Sequence, residues 1–405
     1  MYKMNKTLLL STLVSVCAVL TPVYANANTP TFAACVEGLK SSALQQGVSS
    51  ATVDNVLGKA RYIERVVDSD RAQPEFNTTF TTYHGQRVTD RRIDEGRKLL
   101  VTHRDLLARL QRETGVPPHY LLALWGLETN FGNYFGKLSI PDALTTLACD
   151  SRRSEFFGAE LLATLKIIDA GDLDADELRG SWAGAIGHMQ FMPTTYLAHA
   201  IDGDGDGRRD LFGSIEDALS SGGHYLQALG WQKGFRWGRE VRLPAGFDYS
   251  TTGIEQRQSL SEWASLGVMD AFGKRLPGLD LSAAIVLPTG ATGPVFIIYD
   301  NFDIIMQWNR SQSYALAVGL LADRINGAGK LKQPLPSVEA IRVSRTKTLA
   351  LQQTLNELGY ESGKPDGVVG PATARAIRGF QASRGLVADG YPNDALFELL
   401  SKERP

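Results

Sequence analysis

Glu128, in Trp125-Gly126-Leu127-Glu128-Thr129-Asn130-Phe131-Gly132, is the residue of this chain best placed to move a proton. Val116-Pro117-Pro118 reads as a helix start, because proline costs nothing in a first turn whose N–H groups lack partners anyway. Leu121, Leu124, Trp125 and Glu128 then recur at the spacing of one helix face, and Gly132 is the stop signal. A carboxyl sharing a face with Leu and Trp is costly to ionise. Its pKa should rise, as a general acid working near neutral pH requires. A structural Glu that caps or salt-bridges inside a helical domain fits the same spacing, so the neighbourhood must decide.

The neighbourhood includes Ser181-Trp182-Ala183-Gly184-Ala185-Ile186-Gly187-His188-Met189-Gln190-Phe191-Met192-Pro193, where small residues alternate with polar and aromatic ones ahead of a proline that can open a helix. Glycines let backbone approach a ligand closely, and Gln190 offers both a donor and an acceptor. Such a loop is suited to lie against a substrate. A tightly packed helix–helix connection is the alternative.

Together these two segments, with Arg152-Arg153-Ser154-Glu155-Phe156-Phe157 between them, resemble the lytic murein transglycosylases of the membrane-bound lytic transglycosylase B type. The resemblance runs from about Phe32 to Ile325. It implies a lysozyme-like helical catalytic domain in which Glu128 is the sole catalytic acid/base. It also implies that Ser181 and Gln190 contact the substrate's N-acetyl group and the catalytic carboxyl, and that aromatics at Tyr83, Phe191, Tyr225 and Tyr314 line a glycan cleft. Where the family has Tyr in a Tyr-Asn-x-Ser stretch, this chain has Trp308-Asn309-Arg310-Ser311. The implied reaction cleaves the MurNAc–GlcNAc bond of peptidoglycan and leaves 1,6-anhydroMurNAc ends, with no cofactor required for the chemistry. Two rival readings are a lysozyme-like hydrolase with Asp142 or Asp150 as a second acid, and a noncatalytic wall-binding scaffold.

Asp202-Gly203-Asp204-Gly205-Asp206-Gly207-Arg208-Arg209-Asp210 places carboxylate oxygens at alternate positions 202, 204 and 206, and at 208 the place where such a loop ligates through a backbone carbonyl, with glycine where a calcium loop turns sharply. The position at which an EF-hand carries its bidentate Glu is Gly213. Related transglycosylases have an extended version of this loop, and its terminal carboxylate falls on Glu216, with Asp217 a second choice. The expected metal set is Asp202, Asp204, Asp206, Arg208 and Glu216, holding a structural Ca²⁺.

At 405 residues, 43% hydrophobic and 21% charged, the chain is expected to form two or three folding units. Its formal charge of −2 argues against nucleic acid as a partner, since a phosphate-binding protein concentrates Lys and Arg. The expected partner is the glycan strand of peptidoglycan, bound by a monomer, with any wall-remodelling partners unspecified. Residues 1–27 read as a secretory signal peptide: Lys3 and Lys6, an apolar run from Leu8 to Leu20, and a small-residue site at Ala25-Asn26-Ala27. The run is shorter than the roughly 20 residues a spanning helix needs, so a soluble periplasmic protein is expected. Cys17 leaves with the leader. Cys35 and Cys149 are then compatible with one disulfide, or with two buried thiols.

Residues 28–326 read as the catalytic domain, mainly α (α+β), with helical patterns such as Arg91 to Thr114 and a small β insertion carrying Ala284 to Leu287 and Val295 to Tyr299. Residues 327–340, rich in Gly and Pro, read as a linker. Residues 341–403 hold Pro365-Asp366-Gly367 ahead of a helix with Ala376, Ile377 and Phe380, and a weak echo of that turn at Asp389-Gly390. This segment resembles the three-helix peptidoglycan-binding domain of wall hydrolases.

Overall fold

The computed structural model describes residues 31–72, 78–337 and 344–403. The leader, with Cys17, and the last and first few residues of the expected linker and C-terminal domain (338–340 and 341–343) lie outside the described residues. The helices are α1 (Phe32–Gln45), α2 (Ser50–Val56), α3 (Glu64–Ala72), α4 (Phe80–Arg87), α5 (Asp90–Thr102), α6 (Arg104–Thr114), α7 (Pro118–Thr129), α8 (Ile140–Ala148), α9 (Ser154–Asp169), α10 (Pro193–His199), α11 (Ile215–Ala228), α12 (Leu260–Ser265), α13 (Asp300–Trp308), α14 (Gln312–Ile325), α15 (Arg345–Glu357), α16 (Pro371–Ser383) and α17 (Asp394–Lys402). The strands are β1 (Leu138–Ser139), β2 (Arg179–Gly180), β3 (Gly238–Arg242), β4 (Arg257–Ser259), β5 (Met269–Asp270), β6 (Ser282–Val286) and β7 (Val295–Ile298).

The expected class holds: a helical body, a small β insertion and a C-terminal three-helix unit. α7 is the axis of the body. Every residue from Tyr120 to Leu127 is buried, so the helix is apolar all round rather than along the one face expected from spacing. α5, α6, α11 and α14 pack around it. The single helical pattern over Arg91 to Thr114 is two helices, α5 and α6, meeting at His103.

β3 to β7 form one antiparallel sheet in the order β4-β6-β7-β3-β5. Its central strands divide their side chains by the period of two. Ala284, Val286, Phe296 and Ile298 enter the helical body's core, while Ala283, Ile285, Val295 and Ile297 enter a second core with Trp263 of α12. Burial on both faces is why these strands read as continuous apolar runs rather than alternating ones.

The segment expected to be a linker is docked along its described part. Glu240 on β3 accepts the backbone N–H groups of Lys332 (2.8 Å) and Gln333 (2.7 Å), and Leu331 and Leu335 pack on the core. Beyond it, α15, α16 and α17 share a small core of Leu351, Leu355, Ile377, Phe380, Leu396 and Leu400. The echoed turns prove to be one device used twice. Gln352 of α15 clamps Asp366-Gly367, donating to Asp366 Oδ1 (2.9 Å) and accepting from Gly367 N (2.8 Å). Gln381 of α16 clamps Asp389-Gly390 with the same two bonds, 2.9 and 2.8 Å.

Cys35 in α1 and Cys149 after α8 form a disulfide that closes a sequence separation of 114 residues. A cross-link of that span constrains the unfolded chain strongly, with typical stabilisation of about 2–4 kcal/mol. Reduction, or Cys35→Ser with Cys149→Ser, should lower the denaturant midpoint by a corresponding amount. Coincident unfolding curves with and without reductant would contradict this.

Candidate active site

Glu128 sits on the last turn of α7, part-buried at the end of a helix whose residues from Tyr120 to Leu127 are all buried. Asn130 (φ 51°), Phe131 (φ 60°) and Gly132 (φ 79°) follow in the left-handed region, folding the chain back sharply. Thr129 holds this turn. Its hydroxyl donates to the carbonyl of His188 (2.9 Å) and accepts from Gly132 N–H (3.0 Å). A Cβ on Gly132 would lie 2.2 Å from His188 Cε1, so the Glu-Thr-x-x-Gly spacing has a physical reason: acid, clamp, and the one residue that lets the loop come close.

The partner in that close approach is His188, a residue that spacing alone did not single out. Trp125 Nε1–H donates to His188 Nδ1 (2.9 Å). Burial pushes the imidazole down to about 4, so it is neutral at physiological pH with its proton on Nε2. The signal was available in the pair: an indole N–H one turn before the acid, deep in a core, must find an acceptor.

The Glu128 carboxyl is part-buried and asymmetrically bonded. Tyr314 O–H (2.5 Å) and Trp308 Nε1–H (3.0 Å) both donate to Oε1. Oε2 accepts no hydrogen bond from the described residues. Burial raises the pKa to about 7, opposed first by Tyr314, then by Trp308 and by the charge of Arg87. Desolvation therefore outweighs three groups that favour the anion. Tyr83 lies in the same field, with the Arg87 guanidinium 5.5 Å over its ring.

The other expected site residues divide. Trp308 places an N–H donor on the acid and packs in an aromatic group with Tyr225 (5.3 Å between centroids) and Phe191 (5.4 Å). Phe191 is corrected from a cleft-lining ring to a buttress: it is 2% exposed, wedged behind Trp308 and Tyr225, and cannot offer a face to a sugar. Ser181 Oγ accepts Ala185 N–H (3.1 Å). Gln190 adopts φ 48° and donates to the carbonyls of Gly187 (3.1 Å) and Phe135 (3.4 Å), its amide oxygen unbonded by the described residues. Neither hydrogen-bonds Glu128 directly. Asp142 is held by Arg61 and its backbone N–H (both 3.0 Å), and Asp150 by Arg71 (2.9 Å) and Arg152 N–H (3.0 Å).

In the acidic loop, Asp202, Asp204 and Asp217 bring carboxylate oxygens within 4.8 Å of one another. Asp217, fully buried, accepts backbone N–H groups from Gly203 (2.8 Å), Asp204 (3.2 Å) and Asp210 (2.7 Å). Glu216 turns away to Arg109 (2.5 Å), so the terminal carboxylate facing the loop is the second choice, Asp217. Asp206 accepts from Arg208 N (2.8 Å), and the Arg208 side chain reaches the carbonyl of Asp172 (3.1 Å). His188 N donates to Leu211 O (2.8 Å), which ties this loop to the Glu128 turn.

The family described as Transglycosylase SLT domain matches residues 31–323, and a peptidoglycan binding domain family matches residues 344–400. The chain belongs to the transglycosylase SLT domain family. It is 30% identical to the membrane-bound lytic murein transglycosylase B of Escherichia coli (strain K12) over 297 residues, 71% of this chain and 79% of that protein. The structure of SltB3 from Pseudomonas aeruginosa, solved in complex with NAG-anhNAM-pentapeptide, is similar with a TM-score of 0.88 and 41% identity, covering 91% of this chain and 99% of that one. The Escherichia coli lytic transglycosylase Slt35 in complex with calcium is similar with a TM-score of 0.63 and 28% identity, covering 75% and 94%.

A carboxyl whose folded pKa is about 7, against an ordinary 4.5, favours the folded state below pH 4.5 and loses that contribution as pH rises to about 7. Wild type should therefore lose stability relative to Glu128→Gln across that window, by about 3 kcal/mol at most, and the difference should level off above it. Denaturant titrations at several pH values measure it. A difference that does not change with pH would contradict the raised pKa.

Proposed function

We propose that the protein is a lytic transglycosylase, exported to the periplasm, that cleaves the MurNAc–GlcNAc β-1,4 bond of peptidoglycan and leaves 1,6-anhydroMurNAc ends. The observation that carries this is a part-buried carboxyl, its pKa raised to about 7, with two donors on one oxygen and none from the described residues on the other. Hydrolysis of a glycoside normally uses two carboxyl groups roughly 5–9.5 Å apart. The candidates for a second, Asp142 and Asp150, are committed to arginines and backbone N–H groups.

One carboxyl then serves twice. Protonated Glu128 gives its Oε2 proton to the leaving glycosidic oxygen as the C1–O bond breaks, and the MurNAc N-acetyl group stabilises the positive charge at C1. The resulting carboxylate keeps its Oε1 charge on Tyr314 and Trp308. It takes the proton from the sugar's own C6 hydroxyl as O6 bonds to C1, which restores the acid and consumes no water. A pKa near the working pH lets the same group hold either state at small cost. Ser181 and Gln190, flanking the loop next to this turn, are assigned to the N-acetyl group, and the Tyr225–Trp308 group to a sugar face. The similarity to a lytic murein transglycosylase and to a protein solved with an anhydro-sugar peptide supports this reading.

Calcium is proposed as a structural ion. Asp202, Asp204 and Asp217 offer the hard oxygen ligands it requires, and a similar protein was solved in complex with calcium. Its role would be to hold the loop that carries Leu211 against His188. The C-terminal unit is proposed to supply affinity for the wall.

Glu128→Gln keeps size while removing the proton, so release of anhydromuropeptides should fall by at least the roughly 10²–10⁴-fold typical of general acid–base catalysis, with folding intact. A folded variant working at near wild-type rate would remove Glu128 from the mechanism. Tyr314→Phe removes a donor that favours the anion, so the alkaline limb of kcat/KM should move to higher pH, by roughly one unit. An unmoved or lowered limb would contradict the hydrogen-bond assignment. Calcium should raise the melting temperature relative to chelator, and Asp204→Ala should abolish that difference. Identical transitions in both conditions would leave the loop an ordinary acidic turn.

A further inference from the structure

A cavity of about 420 Å³ lies between the catalytic body and the C-terminal unit. Its walls come from the Gly253–Gln256 turn, residues 310–313 where the connection from α13 enters α14, and the first turns of α16 with the Asp389-Gly390 turn. That joining loop has a second allegiance. Trp308 ends α13 before it and Tyr314 lies in the first turn of α14, and both hydrogen-bond Glu128. The cavity and the catalytic carboxyl are thus separated by one short connection.

The chain as a whole carries a formal −2, yet the cavity wall carries four arginines, Arg310, Arg345, Arg375 and Arg378, against two carboxylates. Both carboxylates are already engaged. Glu255 pairs with Arg375 (2.9 Å). Asp389 accepts N–H groups from Ala291, Gln381 and Tyr391, each at 2.9 Å. Arg378 is part-buried and, among the described residues, has neither an ion pair nor a hydrogen bond. Burial and the neighbouring Arg375 weaken its hold on its proton, and the nearby charge of Asp389, already held by three N–H groups, opposes them only in part. A half-buried guanidinium with all its donors free is costly unless something planar and anionic joins it.

We propose that this cavity is a carboxylate-binding pocket for the stem peptide of the wall strand, with Arg378 as the principal ligand and Arg345 and Arg310 as supporting charges. The proposal rests on the transglycosylase reading above and extends it, because a peptide hanging from the MurNAc bound beside Glu128 has the chemistry the pocket needs: an extended chain ending in carboxylates. Two similar structures, solved with NAG-anhNAM-pentapeptide and NAG-NAM-pentapeptide, show that such ligands are bound by a protein of this shape. In this account the C-terminal unit completes the substrate site with arginines from α15 and α16.

The test uses the full chain carrying Glu128→Gln, so that ligand is bound and not turned over, and measures Kd by calorimetry for three probes. These are NAG-NAM-pentapeptide, the same compound with its carboxylates amidated, and peptide-free NAG-NAM. The acid-bearing peptide should bind about tenfold or more tightly than the other two, as expected for a charge-assisted hydrogen-bonded pair. Arg378→Gln should remove that advantage and leave peptide-free binding unchanged, while Arg378→Lys should restore part of it. Ala374→Trp, which fills the cavity from α16, should have the same effect as Arg378→Gln. Equal affinities for all three probes, or an advantage that survives both Arg378→Gln and Ala374→Trp in folded protein, would overturn the pocket. Release of anhydro products from peptide-free glycan by the wild-type protein tests the underlying reaction separately, so either claim can fail alone.

Discussion

The helical body places one carboxyl, Glu128, between two opposed effects: desolvation that holds its proton near neutrality, and donors that support it when the proton is lost. Burial at the end of α7 supplies the first condition, and the paired donors of Tyr314 and Trp308 on Oε1 supply the second. The two effects oppose each other, and burial wins. An acid with no donors would be pinned in its neutral form, and one in water would be ionised before it met substrate. Because both donors converge on a single oxygen, the other accepts no hydrogen bond from the described residues.

This balance requires rigid neighbours, and the fold provides them in layers. α7 is buried on all sides, so its C-terminal turn cannot drift. Thr129, Gly132, His188 and Trp125 lock that turn to the glycine-rich loop, and the loop in turn bonds to the acidic loop through Leu211. Phe191 stands behind Trp308 and Tyr225, which keeps the indole N–H aimed at Glu128. A residue lost from these supports would be felt at the carboxyl even though it touches no substrate.

Much of this was legible in sequence because it is local. The Glu-Thr-x-x-Gly motif, the glycine-rich loop, the short β-prone stretches and the echoed Asp-Gly turns each repeat a pattern that backbone geometry dictates. What was not legible depends on which way a side chain turns once the helices pack. Glu216 and Asp217 are adjacent acids, but neighbours on a helix do not share a face, and Ser214 caps α11 so that Asp217 points into the loop. Phe191 reads like any exposed aromatic until Tyr225 and Trp308, far along the chain, close over it. The Gly- and Pro-rich stretch after Ile325 has the composition of a free linker, yet the Glu240 carboxylate captures two of its backbone N–H groups. Long-range capture of this kind leaves no trace in local composition.

The central claim is that one carboxyl acts as acid and then as base on the same sugar, with no water entering the product. Digestion of peptidoglycan in ¹⁸O-labelled water, with products analysed by mass spectrometry, measures this directly. The account predicts unlabelled 1,6-anhydro products, each one water lighter than a reducing-end muropeptide. Reducing-end products carrying solvent oxygen would mean that a water is activated by a second group, and the single-carboxyl mechanism would fall.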